Sequence, residues 1–414
     1  MHYANLTLDT GELSVVVYLP ESLRTDLKDT SFYAGSRFDH SSMIGSIQRT
    51  TPDGRHHTLF GTDLWRIPHN EHWPESGVGL AAEFGVGDNG AFCFFHCGWQ
   101  QGSDITNGVL GYTEAKLGEP FLKIGVGVLV KGTCPECDSA GDYKFNSPYL
   151  FAEEPQWKME AAGPTSVKMK QEIRLRQYGY KLLKEISLTG STLAVTTSLT
   201  NLGQDAFSTV WYSHNFFTCD GDAVGPGYAL EMDLAGENRD PVYEEPGTWS
   251  WSTPLRTYAR VIKKVRSIRI EWQDAIPPGP RIKSEFLNDG KTTGAFRLEA
   301  CGTTIESTLH ELQNNEMYAY NLYVERGTLS PEPQFLLHLA PGETRTWTQR
   351  LVFGDLNAMP ATALAASVLG DGTSLPMSFL VQILPLLLVV VFFSMAVAFT
   401  RSWNSIRRRG YQSV

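Results

Sequence analysis

Outside its last fourteen residues the chain has no block of basic side chains. Arg401, Arg407, Arg408 and Arg409 account for four of the 35 Lys and Arg, leaving 31 against 45 Asp and Glu, a net −14. Phosphate contacts dominate nucleic-acid affinity, so an acidic body without a basic patch excludes nucleic acid as a partner. It excludes anionic lipid as well, except for the tail. Helical patterning is scarce too, since few stretches before residue 360 carry an apolar stripe longer than two turns. The first twenty residues lack a basic start followed by a continuous apolar stretch, so no signal peptide is visible. No internal repeat and no composition break interrupts residues 1–355, which favours one domain there.

Cysteine is sparse, with six in 414 residues. Cys93 and Cys97 lie in an apolar run; if it is extended they stand about 13 Å apart, too far for a mutual disulfide. Cys134-Pro-Glu-Cys137 is a single CxxC, whereas structural zinc wants four ligands. A local disulfide and two idle thiols remain open there. Asn5-Leu-Thr7 is the one glycosylation triplet. No metal and no cofactor is expected.

Against these absences stands one long hydrophobic run, Ser378 to Thr400, ending in the arginine tail. Twenty-three helical residues span about 35 Å, enough to cross a bilayer of about 30 Å. The reading is a single transmembrane helix at 378–400 preceded by a linker at 356–377, with membrane lipid as its partner. Which side the body occupies is open. The positive-inside rule puts the tail in the cytosol and the body in a lumen or outside. Tail-first insertion, in the absence of a signal, would leave the body in the cytosol.

The body is globular in composition, with 42% hydrophobic, 11% aromatic and 19% charged residues. Its apolar period is two. Residues 185–202 read as two alternating strands about a Thr-Gly-Ser turn, 266–272 as another strand, and 335–353 as strand, Pro-Gly turn, strand. Leu13, Val15, Val17 and Leu19 share a face of an early strand. The fold class is therefore all-β, a large antiparallel sandwich or barrel.

Several neighbourhoods suit chemistry. His214 lies in Trp211-Tyr-Ser-His-Asn-Phe-Phe-Thr218, where aromatic walls could hold a sugar ring and an imidazole could reach its oxygens. A core histidine bonded to a carbonyl is the alternative. Glu325, sharing a strand face with Tyr323, could act as a general base or simply pair with Arg326. Arg37 and Asp39 fall on one face of an extended segment, as sugar anchors or as an ion pair. His69, His72 and Glu83 are further site candidates. His-x2-His without a third ligand is not a metal pattern.

These segments together resemble the aldose 1-epimerase (galactose mutarotase-like) superfamily. Ser213-His-Asn-Phe-Phe217 resembles its NH-[ST]-YFN motif. Tyr323-Val-Glu-Arg-Gly-Thr-Leu-Ser-Pro-Glu-Pro333 resembles its late catalytic-glutamate segment, and Tyr33 to Ile47 its early arginine segment. Residues 121–132 with Tyr143 are similar to a stretch in epimerase-like bacterial proteins. The matches run in family order from residue 10 to 355. The resemblance implies a β-supersandwich, with His214 as acid, Glu325 as base and Arg37 as substrate anchor. It departs at the family's second histidine, because no His-Gly pair occurs here; His69 or His72 takes that interval.

The implied activity is interconversion of sugar anomers by acid–base ring opening on a neutral monosaccharide or glycan end. Neutrality is expected because no Lys/Arg cluster is evident near the site residues. A non-catalytic, membrane-anchored carbohydrate-binding protein on the same fold is the alternative, since fold alone does not license activity. A glycan hydrolase would want two carboxylates facing one bond, and one candidate is evident.

Overall fold

In the computed structural model, residues 4–356 are described except 24–31, 34, 61–79, 86–108, 134–142, 144–147, 235–242, 245–253, 281, 288–291 and 314–315. They belong to a unit spanning residues 1–361. The apolar run 378–400 and the basic tail lie outside the described residues. So do His69, His72, Cys93, Cys97, Cys134 and Cys137. No helix among the described residues is long and apolar enough to cross a membrane.

The described residues are strands, turns and short 3-10 segments, as the period of two requires. In chain order the strands are β1 (Asn5–Asp9), β2 (Leu13–Tyr18), β3 (Ile44–Thr50), β4 (His56–Phe60), β5 (Leu80–Phe84), β6 (Val109–Leu110), β7 (Pro120–Lys123) and β8 (Gly127–Val130). Next come β9 (Lys158–Ala162), β10 (Ser166–Leu175), β11 (Tyr178–Thr189), β12 (Thr192–Asn201), β13 (Phe207–Asn215), β14 (Ala229–Asp233), β15 (Tyr243–Glu244) and β16 (Ala259–Lys263). The last are β17 (Ser267–Trp272), β18 (Ile282–Leu287), β19 (Phe296–Ala300), β20 (Thr303–His310), β21 (Met317–Glu325), β22 (Thr328–Leu339) and β23 (Thr344–Asp355).

They form two ten-stranded sheets and one of three strands, with antiparallel pairing throughout. The first follows the order β1-β2-β3-β5-β13-β22-β21-β18-β15, with β4 also paired to β3. The second follows β16-β17-β14-β19-β20-β23-β12-β11-β10-β9, and the third β6-β7-β8. The expected hairpin at 185–202 is β11–β12, closed at Thr189↔Thr192 through Gly190 at φ +52°. Residues 335–353 form the end of β22 and β23, turning at Gly342 with φ +77°. Both turns need positive φ, which glycine adopts without a Cβ penalty. β11 begins at Tyr178, well before residue 185, because β10 pairs along its whole length.

The two large sheets meet around one apolar core. Val15, Val17, Phe84, Trp211, Leu322, Val324, Phe335 and Leu337 come from the first, and Leu193, Leu199, Ile270, Leu298, Trp347 and Leu351 from the second. Each fully buried Leu removes enough area from water to contribute about 2 kcal/mol. The opposite face of the first sheet is covered as well. Val210, Tyr212, Ala319 and Leu336 pack there against Val109, Phe121 and Leu129 of the small sheet. Beside them lie Phe38, Ala81 and Phe216. This second buried face is where the candidate site lies.

Candidate functional site

Alternation along β13 sorts the SHNFF region. Trp211 points into the inter-sheet core, its ring 5.3 Å from that of Trp347. It does not reach the site face and is no sugar wall, since a residue an odd number of positions from His214 must point the other way. Tyr212 and His214 take the site face. Antiparallel register sets Tyr212 opposite Glu83 and His214 opposite Ala81.

Glu83, fully buried, is the hub of a four-residue network. Its Oε2 accepts from Arg37 Nε at 3.1 Å and from the Tyr212 hydroxyl at 2.7 Å. Its Oε1 accepts from Lys123 Nζ at 3.3 Å. Arg37 also donates from Nη2 to the Tyr212 oxygen at 3.2 Å. Two cations thus share one carboxylate out of water. Burial pulls the Lys123 amine down to about 8, against the pull of Glu83. Burial likewise opposes the Arg37 charge, but Glu83 and Tyr212 hold its pKa above the ordinary value. Tyr212 stays a phenol, raised first by burial and then by Glu83. The expectation of no cationic cluster is corrected, though Glu83 engages both cations.

The loop before Arg37 is built for this. The Tyr33 hydroxyl accepts the backbone N–H groups of Arg37 and Phe38 at 3.1 and 3.2 Å. A Cβ on Gly35 would sit 2.8 Å from the Tyr33 ring, so only glycine lets the chain fold over it. Asp39 does something different from the expected sugar anchoring. Its Oδ1 caps the 3-10 turn by accepting from Ser41 N and Oγ. Its Oδ2 lies 3.0 Å from the buried Lys184 Nζ of β11, at ion-pair distance but outside hydrogen-bond alignment. Asp39 is a structural ion-pair member, tying the early segment to the second sheet.

His214 sits in an aromatic box. Its ring stacks on Phe216 at 3.7 Å, with Tyr323 at 5.6 Å, Phe38 at 6.0 Å and Tyr212 at 6.1 Å. Nδ1 lies 3.0 Å from Ser330 Oγ, and Nε2 lies 3.1 Å from Glu332 Oε1. The last contact is close enough for an ion pair, yet it is not aligned as a hydrogen bond. Burial pushes the imidazole well below its usual value, helped by the charges of Arg37 and Lys283. Burial pushes the Glu332 carboxyl up to about 7, while Ser330, Arg37 and Lys283 hold it down. Both directions favour the uncharged partners, so the pair is read as sharing one proton rather than as His⁺ with a carboxylate.

Proline makes room for this contact. The β13–β22 ladder runs from Phe207↔Leu339 to Trp211↔Phe335 and stops short of Pro333 and Pro331, which lack N–H groups. Side chains replace it. Asn215 N donates to Ser330 Oγ at 2.8 Å, and Asn215 Nδ2 donates to Pro331 O at 2.8 Å. Ser330 and Glu332 therefore project together beside His214.

Glu325, the expected base, lies elsewhere on the same face, at the end of β21 opposite Thr328. It lines a cavity of about 220 Å³ with Gly221, Pro278, Gly279, Pro280, Arg326 and Gly327. The site residues not anticipated are Lys123, Tyr212, Ser330 and Glu332. Tyr212 and the Ser330-Pro-Glu-Pro333 acid stood inside the quoted motifs and share the period-two face of His214 and Tyr323. Lys123 stood inside the 121–132 stretch, but no local spacing set it apart as a site residue.

No family model matches the sequence, and no curated protein matches it. Several solved structures are similar to the chain at low identity. A galactose mutarotase-like protein from Clostridium acetobutylicum is 12% identical, covering 85% of this chain and 95% of its own, with a TM-score of 0.46. An aldose epimerase homologue from C. elegans is 12% identical over 86% of this chain and 100% of its own, with a TM-score of 0.43. A galactose mutarotase-like protein from Lactobacillus casei is 9% identical over 85% and 100%, with a TM-score of 0.42. Likeness at this level says nothing about chemistry, which the residues themselves must supply.

Proposed function

We propose that the chain interconverts the anomers of an aldose, with His214 and Glu332 as the proton-handling pair. The observation that carries this is their buried contact at 3.1 Å, with the two groups shifted in opposite directions. Ring opening needs one proton given and one taken, and a pair holding a single proton does both. The Glu332 carboxyl gives its proton to the ring oxygen while His214 Nε2 takes the proton of the C1 hydroxyl. The bond from C1 to the ring oxygen breaks and the C1 carbonyl forms. After rotation about C1–C2, the ring closes on the other face and both protons return. No electrons leave the sugar, so the steps ask nothing of a cofactor. Each group is expected to contribute about 10² to 10⁴-fold. Half-buried Tyr323 beside the imidazole offers a flat apolar face for the sugar's C–H surface.

This sense of transfer reverses the role the family resemblance implies for His214. It also moves the carboxylate role from Glu325 to Glu332. The test is anomer exchange by NMR with the full chain, over neutral aldoses and their uronic acids and 6-phosphates. Exchange above the buffer rate, lost in Glu332→Gln and in His214→Ala, is expected. An unchanged rate in both variants removes the assignment.

A second reading has its own observation. The side chains of His214 and Glu332 are each only 8% exposed, as a closed pair in a carbohydrate-binding protein would be. Saturation transfer to one sugar without exchange would favour it.

Membrane attachment through 378–400 is part of the proposal and rests on the sequence. Carbonate extraction of the full chain, compared with one ending at residue 377, tests it. A disulfide between Cys219 and Cys301 favours an oxidising compartment for the body, which agrees with a cytosolic arginine tail.

A further inference from the structure

One corner of the sandwich gathers four metal-ligating side chains. His57 on β4, Cys219 and Asp220 after β13, and Cys301 at the β19–β20 turn each bring a donor atom within 4.8 Å of all the others. Cys219 and Cys301 are joined as a disulfide across 82 residues. His57 Nδ1 lies 2.7 Å from Asp220 Oδ2. We propose that in the reduced chain these four groups bind one zinc ion. The corner then has two interchangeable staples, a disulfide or a metal.

Three features support the assignment. The donor set is two thiolates, one imidazole and one carboxylate, which suits the borderline-soft, tetrahedral Zn²⁺ and disfavours Mg²⁺ or Ca²⁺. The framework is already held. Asp220 N donates to Thr58 O at 2.9 Å, Thr58 N donates to Asp220 Oδ1 at 2.7 Å, and Thr218 N donates to Leu59 O at 2.9 Å. Asp220 Oδ1 is thus engaged by β4, and Oδ2, which meets His57 Nδ1 at 2.7 Å in the disulfide form, would exchange that contact for the metal. The rearrangement is also small. Tetrahedral zinc spaces its donors by about 3.3 to 3.8 Å. The sulfurs must part from 2.00 Å and the His57–Asp220 contact from 2.7 Å, while no pair of donors starts farther apart than 4.8 Å.

The chemistry balances. A dithiol reductant supplies two electrons and two protons, the bond between the two sulfurs breaks, and two thiols result as the dithiol closes to its own disulfide. Zinc binding then expels the two thiol protons. A newly made chain, before oxidation, holds the same two thiols. Because Cys301 belongs to the second sheet and His57 to the first, the ion would tie the two sheets where the disulfide does.

The test uses the full chain, reduced and freed of reductant under anaerobic conditions, then titrated with Co²⁺. Thiolate-to-cobalt charge-transfer bands and intense tetrahedral d–d bands are expected, saturating at one equivalent and bleached by Zn²⁺. The oxidised protein should show neither. His57→Ala and Asp220→Asn, purified as folded disulfide forms and then reduced, should lose the tetrahedral bands. They should also bind zinc at least about tenfold more weakly. Cys134→Ser/Cys137→Ser should bind as the parent does. A reduced protein that keeps its strand signal but gives no tetrahedral bands overturns the proposal. So do bands that persist in both the His57 and Asp220 variants. If reduction unfolds the chain, recovery of the native circular dichroism on adding zinc supports it, and no recovery overturns it.

Discussion

His214 and Glu332 meet at 3.1 Å on neighbouring strands, where the ladder between β13 and β22 has already given way to two prolines. Burial discharges both. It empties the imidazole of its proton and keeps one on the carboxyl, so the pair holds a single proton near neutrality. The positive balance of Arg37, Glu83 and Lys123 alongside works the same way on His214, since Arg37 is the second cause of its shift.

Removing the carboxyl while keeping its shape is the most direct consequence to measure. Glu332→Gln should lower anomer exchange by about 10² to 10⁴-fold while keeping the strand signal of the folded parent. Glu325→Gln, at the end of β21, should stay within a few-fold of the parent. The opposite ranking would return the carboxylate role to Glu325.

The pair also predicts a pH profile. Exchange should peak where one proton is shared and decline above the apparent value of about 7 set by Glu332. On the acid side it should decline as His214 gains a proton. An alkaline limb that stays flat in the parent would exclude Glu332 as the donor.

Stability should follow the same protons. The native Glu332 keeps its proton from its ordinary 4.5 up to about 7, where the unfolded chain has released it. Its contribution is full below 4.5 and is lost as pH rises through 7, by up to about 3 kcal/mol. His214 has the opposite sign. Its contribution is full above 6.5 and falls as pH drops toward its depressed native value. Glu332→Gln should therefore gain stability relative to the parent between pH 5 and 8 in urea unfolding. A constant difference across that range would mean the shift is absent.

Glu83 stands between two buried cations. Glu83→Gln leaves Arg37 and Lys123 without their counter-charge, at an expected cost of about 3 to 5 kcal/mol. Adding Lys123→Met should recover part of it. Additive losses in the double variant would show that the two residues do not share an interaction.

The Cys219–Cys301 bridge closes a separation of 82 residues. Replacing both cysteines with alanine should cost about 4 kcal/mol, mostly by freeing the unfolded chain. An unchanged denaturation midpoint would remove the bridge as a staple of the two sheets.

Element type and much of the facing are legible in the chain alone. Period two marked the strands, Gly190 and Gly342 their turns, and Leu322 and Val324 proved to be core residues with Tyr323 and Glu325 on the other face. The sequence also singled out His214, Arg37 and Glu83, which the fold gathers on one buried face. Which partners these residues meet depends on how the sheets are ordered and packed. Alternation says which face a side chain takes, but sheet order and register say what stands opposite. Trp211 went to the core because it is out of phase with His214. Glu332 reached His214, and Glu325 did not, because the β13–β22 register sets that row. Lys123 met Glu83 from a separate sheet and Asp39 met Lys184 across the sandwich, contacts that no local spacing encodes.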